Sequence, residues 1–231
     1  MVREAFGAVL FDVGATLADP FPSSRDIILK VLADNGTMLT ADDLRLAEPQ
    51  AWQAVAGMLP FQRYGQAESC AFWKAFYATL LKSVGVAPAE RLCGQIYSEF
   101  QQVENWRDYP DAIPVLRELK ARGYRLGVVS NWEEWLDQLL AALGMSDVFE
   151  VIVASGSFGR AKPDPSIFWE ALRALDVRPD AAVHVGDSLR DDVCGAQAAG
   201  IRAILVDRRD RFPDAGVERV LSLSELLSIL A

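Results

Sequence analysis

Phe6-Gly-Ala-Val-Leu-Phe11-Asp12-Val-Gly14-Ala-Thr16-Leu17 is the stretch that decides the fold of this chain. A short, continuous apolar run reads as a strand buried on both faces. The run stops on Asp12, and a Gly-containing turn follows. An open α/β sheet presents a nucleophile in this way, as a carboxylate at the carboxyl end of a strand.

Outward from this strand, two textures are visible. From about residue 108 onward, apolar runs alternate with helical periodicity. The strand candidates are 124–130, 150–154, 182–187 and 201–207; the helices preceding and between them are 111–122, 133–143, 166–175 and 189–199. Alternation of this kind predicts a parallel sheet covered on both faces, a doubly wound, Rossmann-like α/β core that the first strand joins. Residues 19–107 read as helices alone, over 26–34, 41–59, 68–84 and 90–103, with no convincing strand. Leu92, Ile96, Phe100 and Val103 form one apolar stripe, and Phe72/Phe76 and Trp73/Tyr77 are i,i+4 aromatic pairs, as in the core of a small bundle. The expectation is a core of residues 1–18 and 108–231 with an all-α cap, 19–107, inserted after the first strand. Pro20 and Pro22 mark one junction and Asp108-Tyr-Pro110-Asp111 the other.

Composition narrows the function. The chain has 231 residues, of which 51% are hydrophobic, and 23 Lys plus Arg against 32 Asp plus Glu give a net charge of −9. An acidic chain without a basic run is a poor partner for nucleic acid or an anionic membrane. Local cations or Mg²⁺ would still let it take a phosphorylated small molecule. Cys70, Cys93 and Cys194 stand in no metal-ligand pattern and read as buried free thiols in a reducing cytosol. Neither a signal-peptide h-region nor an 18-residue apolar stretch is visible, so a cytoplasmic monomer or homodimer is expected. His184 is the only histidine. It excludes a His-based triad or zinc site by count and reads as a packed or hydrogen-bonded strand residue.

Four polar clusters fall at strand ends: Asp12 with Thr16; Ser130-Asn131; Lys162-Pro-Asp-Pro165; and Gly186-Asp187-Ser188 with Asp191 and Asp192. Each has a plain structural reading. Ser130 or Asn131 could cap a helix, with Glu133 or Glu134 completing a capping box. Asp164 could be an N-cap with Pro165 at the first helical position. Asp187 or Ser188 could cap the next helix, with Asp191 and Asp192 favoured by its dipole. Thr16 could be a turn hydroxyl. Carboxyl ends of parallel strands share one edge, however, so the four clusters can converge on one crevice.

Together and in this order, the four clusters resemble the haloacid dehalogenase-like hydrolase superfamily, in its phosphatase branch with a helical cap after the first strand. The resemblance covers residues 6–18 and about 108–207. It implies that Asp12 attacks phosphorus to form an aspartyl-phosphate. It further implies Mg²⁺ held by Asp12, Asp187 and the backbone carbonyl of Gly14. Ser130 and Asn131 would bind phosphoryl oxygens, Lys162 would place a charge against nucleophile and phosphate, and Thr16 would orient the nucleophile loop. Asp191 or Asp192 would support Lys162 or metal-bound water, and the cap would govern substrate choice.

The departure is Gly14. Phosphatases of this superfamily usually carry Asp there, to protonate the leaving oxygen and then activate water. General acid–base help of this kind contributes about 10²–10⁴-fold. Three readings follow. Glu133, Glu134, Asp19 or a cap residue supplies the proton; the substrate is an acyl or aryl phosphate with a good leaving group; or the chain is an impaired phosphate- and metal-binding relative. A dehalogenase- or phosphonatase-like hydrolase of a carbon bond is a further alternative. Dehalogenases lack the Gly-Asp that stands here as Gly186-Asp187, and a phosphonatase needs a Schiff-base lysine, for which Lys30, Lys74 and Lys82 are available.

Overall fold

The computed structural model describes residues 7–58 and 65–230. These divide into two compact units, one of residues 7–19 and 108–230 and the other of residues 20–58 and 65–107.

The first unit is built on a parallel sheet. Strand β1 (Ala8–Phe11) is wholly buried, as its unbroken apolar sequence requires. Strand β2 (Ala18–Pro20) pairs with β3 (Trp106–Asp108) in a separate two-stranded sheet, where the chain passes from one unit to the other. Strands β4 (Arg125–Ser130), β5 (Val151–Ala154), β6 (Ala182–Gly186), β7 (Arg202–Val206) and β8 (Arg219–Val220) complete the main sheet. Its order is β5-β4-β1-β6-β7-β8, and every pairing is parallel. β1 therefore lies inside the sheet, and the chain winds outward on both sides of it. Register places Phe11 opposite Val128 of β4 and Val185 of β6. The carboxyl ends of β1, β4 and β6 thus share one edge, where an open α/β sheet carries its site. On one face of the sheet, Leu10, Val129, Ile167, Phe168 and Leu205 belong to one apolar cluster.

The second unit is helical. Its helices are α1 (Ser24–Asp34), α2 (Ala41–Val55), α3 (Gln66–Ser83) and α4 (Glu90–Phe100). Ser23 with Asp26 and Thr40 with Asp43 form capping boxes that start α1 and α2. Leu44, Phe72, Phe76, Leu80, Leu92 and Ile96 share one core. Each such side chain contributes about 1.5–3 kcal/mol by leaving water.

Several expectations need correction. Strands β2 and β3 reach into the segment expected to be all helix; each has three residues, too few to show an alternating pattern. The fourth helix of this unit ends at Phe100, and Val103 belongs to a separate 3₁₀ turn. Strand β8 was not anticipated, because its two residues carry no pattern. The segment expected as one helix over 189–199 is a π-helical turn, Leu189–Cys194, followed by α-helix Gly195–Ala198. Of the three free cysteines only Cys93 is buried; Cys70 is half-buried and Cys194 exposed. Phe6 and Leu59, expected at element ends, lie outside the described residues. Among the described residues, no helix is long and apolar enough to cross a membrane.

Candidate active site

Asp12 follows directly on β1, and its backbone N–H donates to Val185 of β6 at 2.9 Å. The next residues turn tightly. The Val13 carbonyl accepts from the N–H groups of Thr16, Leu17 and Ala18, and Ala15 adopts a left-handed φ of 54°. The Gly14 carbonyl takes part in none of these bonds. Gly14 itself has no left-handed φ, and a Cβ there would meet only Trp132 Cζ3, at 3.5 Å, an ordinary contact. A side chain at this position therefore meets no backbone strain and no close Cβ contact.

Asp12 Oδ1 accepts from Ser130 Oγ at 2.8 Å and from Lys162 Nζ at 2.6 Å. Among the described residues, Oδ2 accepts no hydrogen bond. Ser130 thus spends its hydroxyl on Asp12 and not on a helix cap. The helix after β4 begins only at Leu136, three residues later than expected, with Trp135 at its N-cap and no side-chain cap bond. Asn131 clamps the backbone of Lys162, with Nδ2 donating to its carbonyl at 3.0 Å and Oδ1 accepting from its N–H at 2.7 Å. Asp164 does cap the helix Pro165–Leu175, accepting from Ser166 N–H.

Lys162 Nζ also donates to Asp192 Oδ1 at 2.5 Å, and all three residues are buried. Asp192 accepts on the same oxygen from His184 Nε2 at 2.8 Å, and on Oδ2 from the Ser188 N–H at 2.9 Å. Gly186 makes room for this carboxylate: a Cβ there would fall 2.2 Å from Asp192 Cγ. Of the two acids proposed to support Lys162, Asp192 is therefore the one that touches it.

Electrostatics follow from this packing. Burial pushes the Asp12 carboxyl up, against the pull of Lys162. Burial would also raise Asp192, but Lys162 and His184 outweigh it and hold the group well below the usual carboxylate range. Lys162 is raised, because Asp12 and Asp192 overcome the burial that would lower it. Burial first, then repulsion from Asp12 and Asp192, pushes Asp187 up to about 7. Oxygens of Asp12, Asp187 and Asp192 lie within 4.8 Å of one another, an all-oxygen donor set that suits Mg²⁺. Asp192 already spends both oxygens on protein donors. Of this cluster, Asp12 Oδ2 and the Asp187 carboxylate are left to receive a cation.

The remaining candidates divide. Thr16 is fully buried and its Oγ1 finds no partner among the described residues, while its carbonyl accepts from Arg208 at 2.8 Å. Asp191 is half-buried and raised, chiefly by burial. Of the acids considered as substitutes for an acid at position 14, Glu133 is buried and accepts from Trp135 Nε1, and Glu134 is exposed. Asp19 accepts from Tyr109 Oη at 3.0 Å and faces Arg209 at 3.6 Å. Sequence reasoning passed over Arg208, which pairs with Asp111 at 2.9 Å, and Arg211, 3.6 Å from Asp187. The available signal was Asp207-Arg-Arg-Asp-Arg211, a basic cluster just past the carboxyl end of β7.

A family model described as haloacid dehalogenase-like hydrolase matches residues 6–200. The chain belongs to this family of hydrolases. The haloacid dehalogenase-like hydrolase domain-containing protein 3 of Danio rerio is 31% identical over 208 residues, covering 87% of this chain and 85% of that protein. The glyceraldehyde 3-phosphate phosphatase of Methanopyrus kandleri is 30% identical over 245 residues, covering 97% and 98%. Among solved structures, a HAD phosphatase from Thermococcus onnurineus superposes with a TM-score of 0.65 at 26% identity, covering 97% of each chain. The parallel sheet is the doubly wound, Rossmann-like core that the sequence predicts.

Proposed function

We propose that this haloacid dehalogenase-like protein is a Mg²⁺-dependent phosphohydrolase of a small phosphorylated metabolite, with Asp12 as nucleophile. The observation that carries the reading is the shared oxygen of Asp12: Ser130 and Lys162 both donate to Oδ1. An arriving phosphoryl group offers the same two donors new acceptors. Ser130 Oγ and Lys162 Nζ then turn to phosphoryl oxygens, and Oδ1 is released facing phosphorus. Asp12 Oδ2, Asp187 and the Gly14 carbonyl would hold Mg²⁺, which when bound offsets repulsion between the carboxylates and the phosphoryl dianion. Asn131 holds Lys162 through its backbone, and Asp192 holds it through Nζ. The phosphatase relatives support this reaction class, as does the retention of Asp187.

The leaving group is where this chain departs. No carboxyl stands at position 14, and the indole of Trp132 lies beside it. Trp132 is itself pinned: Ser155 Oγ accepts from its N–H and donates to its carbonyl, and its ring meets Trp135 edge-on at 5.3 Å. We read this as a site for phosphates whose leaving group needs little protonation, with an aromatic wall available to it. The helical unit is proposed to set substrate range.

The test is a screen of acyl, aryl, sugar and nucleotide phosphates with and without Mg²⁺, repeated with Asp12→Asn. Turnover that needs both Mg²⁺ and Asp12 is expected. Full activity in excess EDTA would instead favour metal-free, dehalogenase-type chemistry.

A further inference from the structure

We propose that His184 is a positioning residue that sets Lys162 against Asp12 by way of Asp192. The inference rests on the phosphohydrolase reading for its kinetic consequence, but its structural half stands apart from that reading.

His184 lies in β6, fully buried, three residues before Asp187. Its Nε2 is 2.8 Å from Asp192 Oδ1, the same oxygen that takes Lys162 Nζ at 2.5 Å. Lys162 Nζ then reaches Asp12 Oδ1 at 2.6 Å. Four side chains thus form one buried line, His184–Asp192–Lys162–Asp12. A carboxylate only accepts, so Nε2 carries the proton of the first link. The ring stands edge-on to Phe168, with centroids 4.9 Å apart.

The other ring nitrogen shows what the histidine is there for. Nδ1 is buried and has no hydrogen-bond partner among the described residues. Whether Nδ1 carries a proton or a lone pair, it goes unsatisfied, which is unfavourable in an apolar setting. An aliphatic side chain at this place in β6 would avoid that penalty. A purely structural role is therefore better served by leucine than by histidine. What leucine cannot supply is the donor to Asp192. Without it, Lys162 and the Ser188 N–H alone would orient this carboxylate. Lys162 has only two carboxylate partners among the described residues, so movement of Asp192 changes how Nζ is shared with Asp12.

Two variants and two readouts test the proposal. His184→Leu removes the donor; His184→Gln places an amide N–H close to where Nε2 sits. With an aryl phosphate substrate, His184→Leu should lower kcat by roughly 10–100-fold, the range for residues that orient a site through another side chain. KM should stay within about threefold, and Tm should hold or rise. His184→Gln should recover most of kcat. The second readout is the Lys162 ammonium ¹⁵N–¹H resonance, visible because the group is buried and hydrogen-bonded. It should shift in His184→Leu and stay near its wild-type position in His184→Gln, whatever the substrate proves to be. A wild-type kcat in His184→Leu, or an unmoved Lys162 resonance, would overturn the proposal. So would equal losses of kcat and Tm in both variants, the mark of a packing role. Failure of the phosphohydrolase reading looks different: the wild-type protein would then turn over no phosphate, while the resonance still reports on His184.

Discussion

Lys162 and Asp12 form a buried ion pair, Nζ to Oδ1 at 2.6 Å, with 2% and 10% of their side chains exposed. The two residues are 150 positions apart, joined by the carboxyl edge of the sheet. A pair this deep is a weak contributor to net stability, because desolvation offsets its attraction. Its value is positional: a charged donor rests on the oxygen proposed to attack.

That arrangement separates the effects of two substitutions. Asp12→Asn is nearly isosteric and leaves Lys162 its second partner, Asp192. Turnover should fall by several orders of magnitude while Tm stays close to wild type. Lys162→Met instead strands two buried carboxylates without their cation. It should lower activity and also destabilise the fold by about 3–5 kcal/mol, measured by denaturant unfolding. Phosphatase activity at the wild-type level in purified Asp12→Asn would remove Asp12 as nucleophile.

As a proposed metal ligand, Asp187 would tie Mg²⁺ binding to pH. Its folded-state pKa, about 7, lies above its ordinary value of 3.8, with burial the first cause. Between those values the folded protein holds a proton that the unfolded chain has lost. The group's contribution to stability is therefore present at low pH and declines as pH rises from about 4 through 7. Under the proposed assignment Mg²⁺ would replace that proton, so its binding should weaken as pH falls below 7. The rise in Tm on adding Mg²⁺ should accordingly be larger at pH 8 than at pH 6. Asp187→Asn should abolish most of that rise. A Mg²⁺-induced shift of equal size at both pH values would contradict the assignment of Asp187 as a ligand.

The sheet and the convergence of the four clusters were legible because they rest on strong local signals. Unbroken apolar runs mark strands buried on both faces, and polar residues just past those runs must meet at one edge. What each polar side chain does was less legible, since the same residue types cap helices and build sites. Ser130 and Asp164 illustrate this: both had capping readings, yet Asp164 caps its helix and Ser130 bonds Asp12. His184 was legible as a packed or hydrogen-bonded strand residue, but its partner was not. Its partner Asp192 is eight residues away across a strand and a π-helical turn, a relation no periodic pattern encodes.

Arg208 holds the loop that follows Asp12. It donates to the Thr16 carbonyl at 2.8 Å and to both oxygens of Asp111, and its guanidinium lies 3.8 Å above the Tyr109 ring. Asp111 in turn accepts from the Leu223 N–H. Arg208→Met would leave the half-buried Asp111 carboxylate without its cation, and a loss of about 2–4 kcal/mol is expected. Arg208→Lys should recover little of it, because an ammonium cannot make the forked contact or stack on tyrosine. Stability at the wild-type level in Arg208→Met would show that the clamp is dispensable.

Gly14 and Trp132 together make the sharpest prediction about substrate. In the proposed phosphohydrolase, without an acid at position 14, the leaving oxygen would depart with its charge largely unquenched. Rates should then depend steeply on leaving-group pKa, with aryl and acyl phosphates cleaved far faster than sugar phosphates. In the proposed site, Trp132 would offer a contact that only a ring can use. Trp132→Ala should therefore lower kcat/KM more for an aryl phosphate than for acetyl phosphate, by about tenfold, the scale of one aromatic contact. Trp132→Phe should restore most of the difference. Gly14→Asp is structurally permitted, because the backbone there is not left-handed and a Cβ meets only the indole edge. It should raise turnover of alkyl phosphates by roughly tenfold or more and flatten the dependence on leaving-group pKa. The decisive measurement is on the wild-type protein, over a graded series of leaving groups with chemistry rate-limiting. A flat response would mean that another group already donates the proton. Glu133, buried two residues beyond the Asn131 that clamps Lys162, would then be the first side chain to replace.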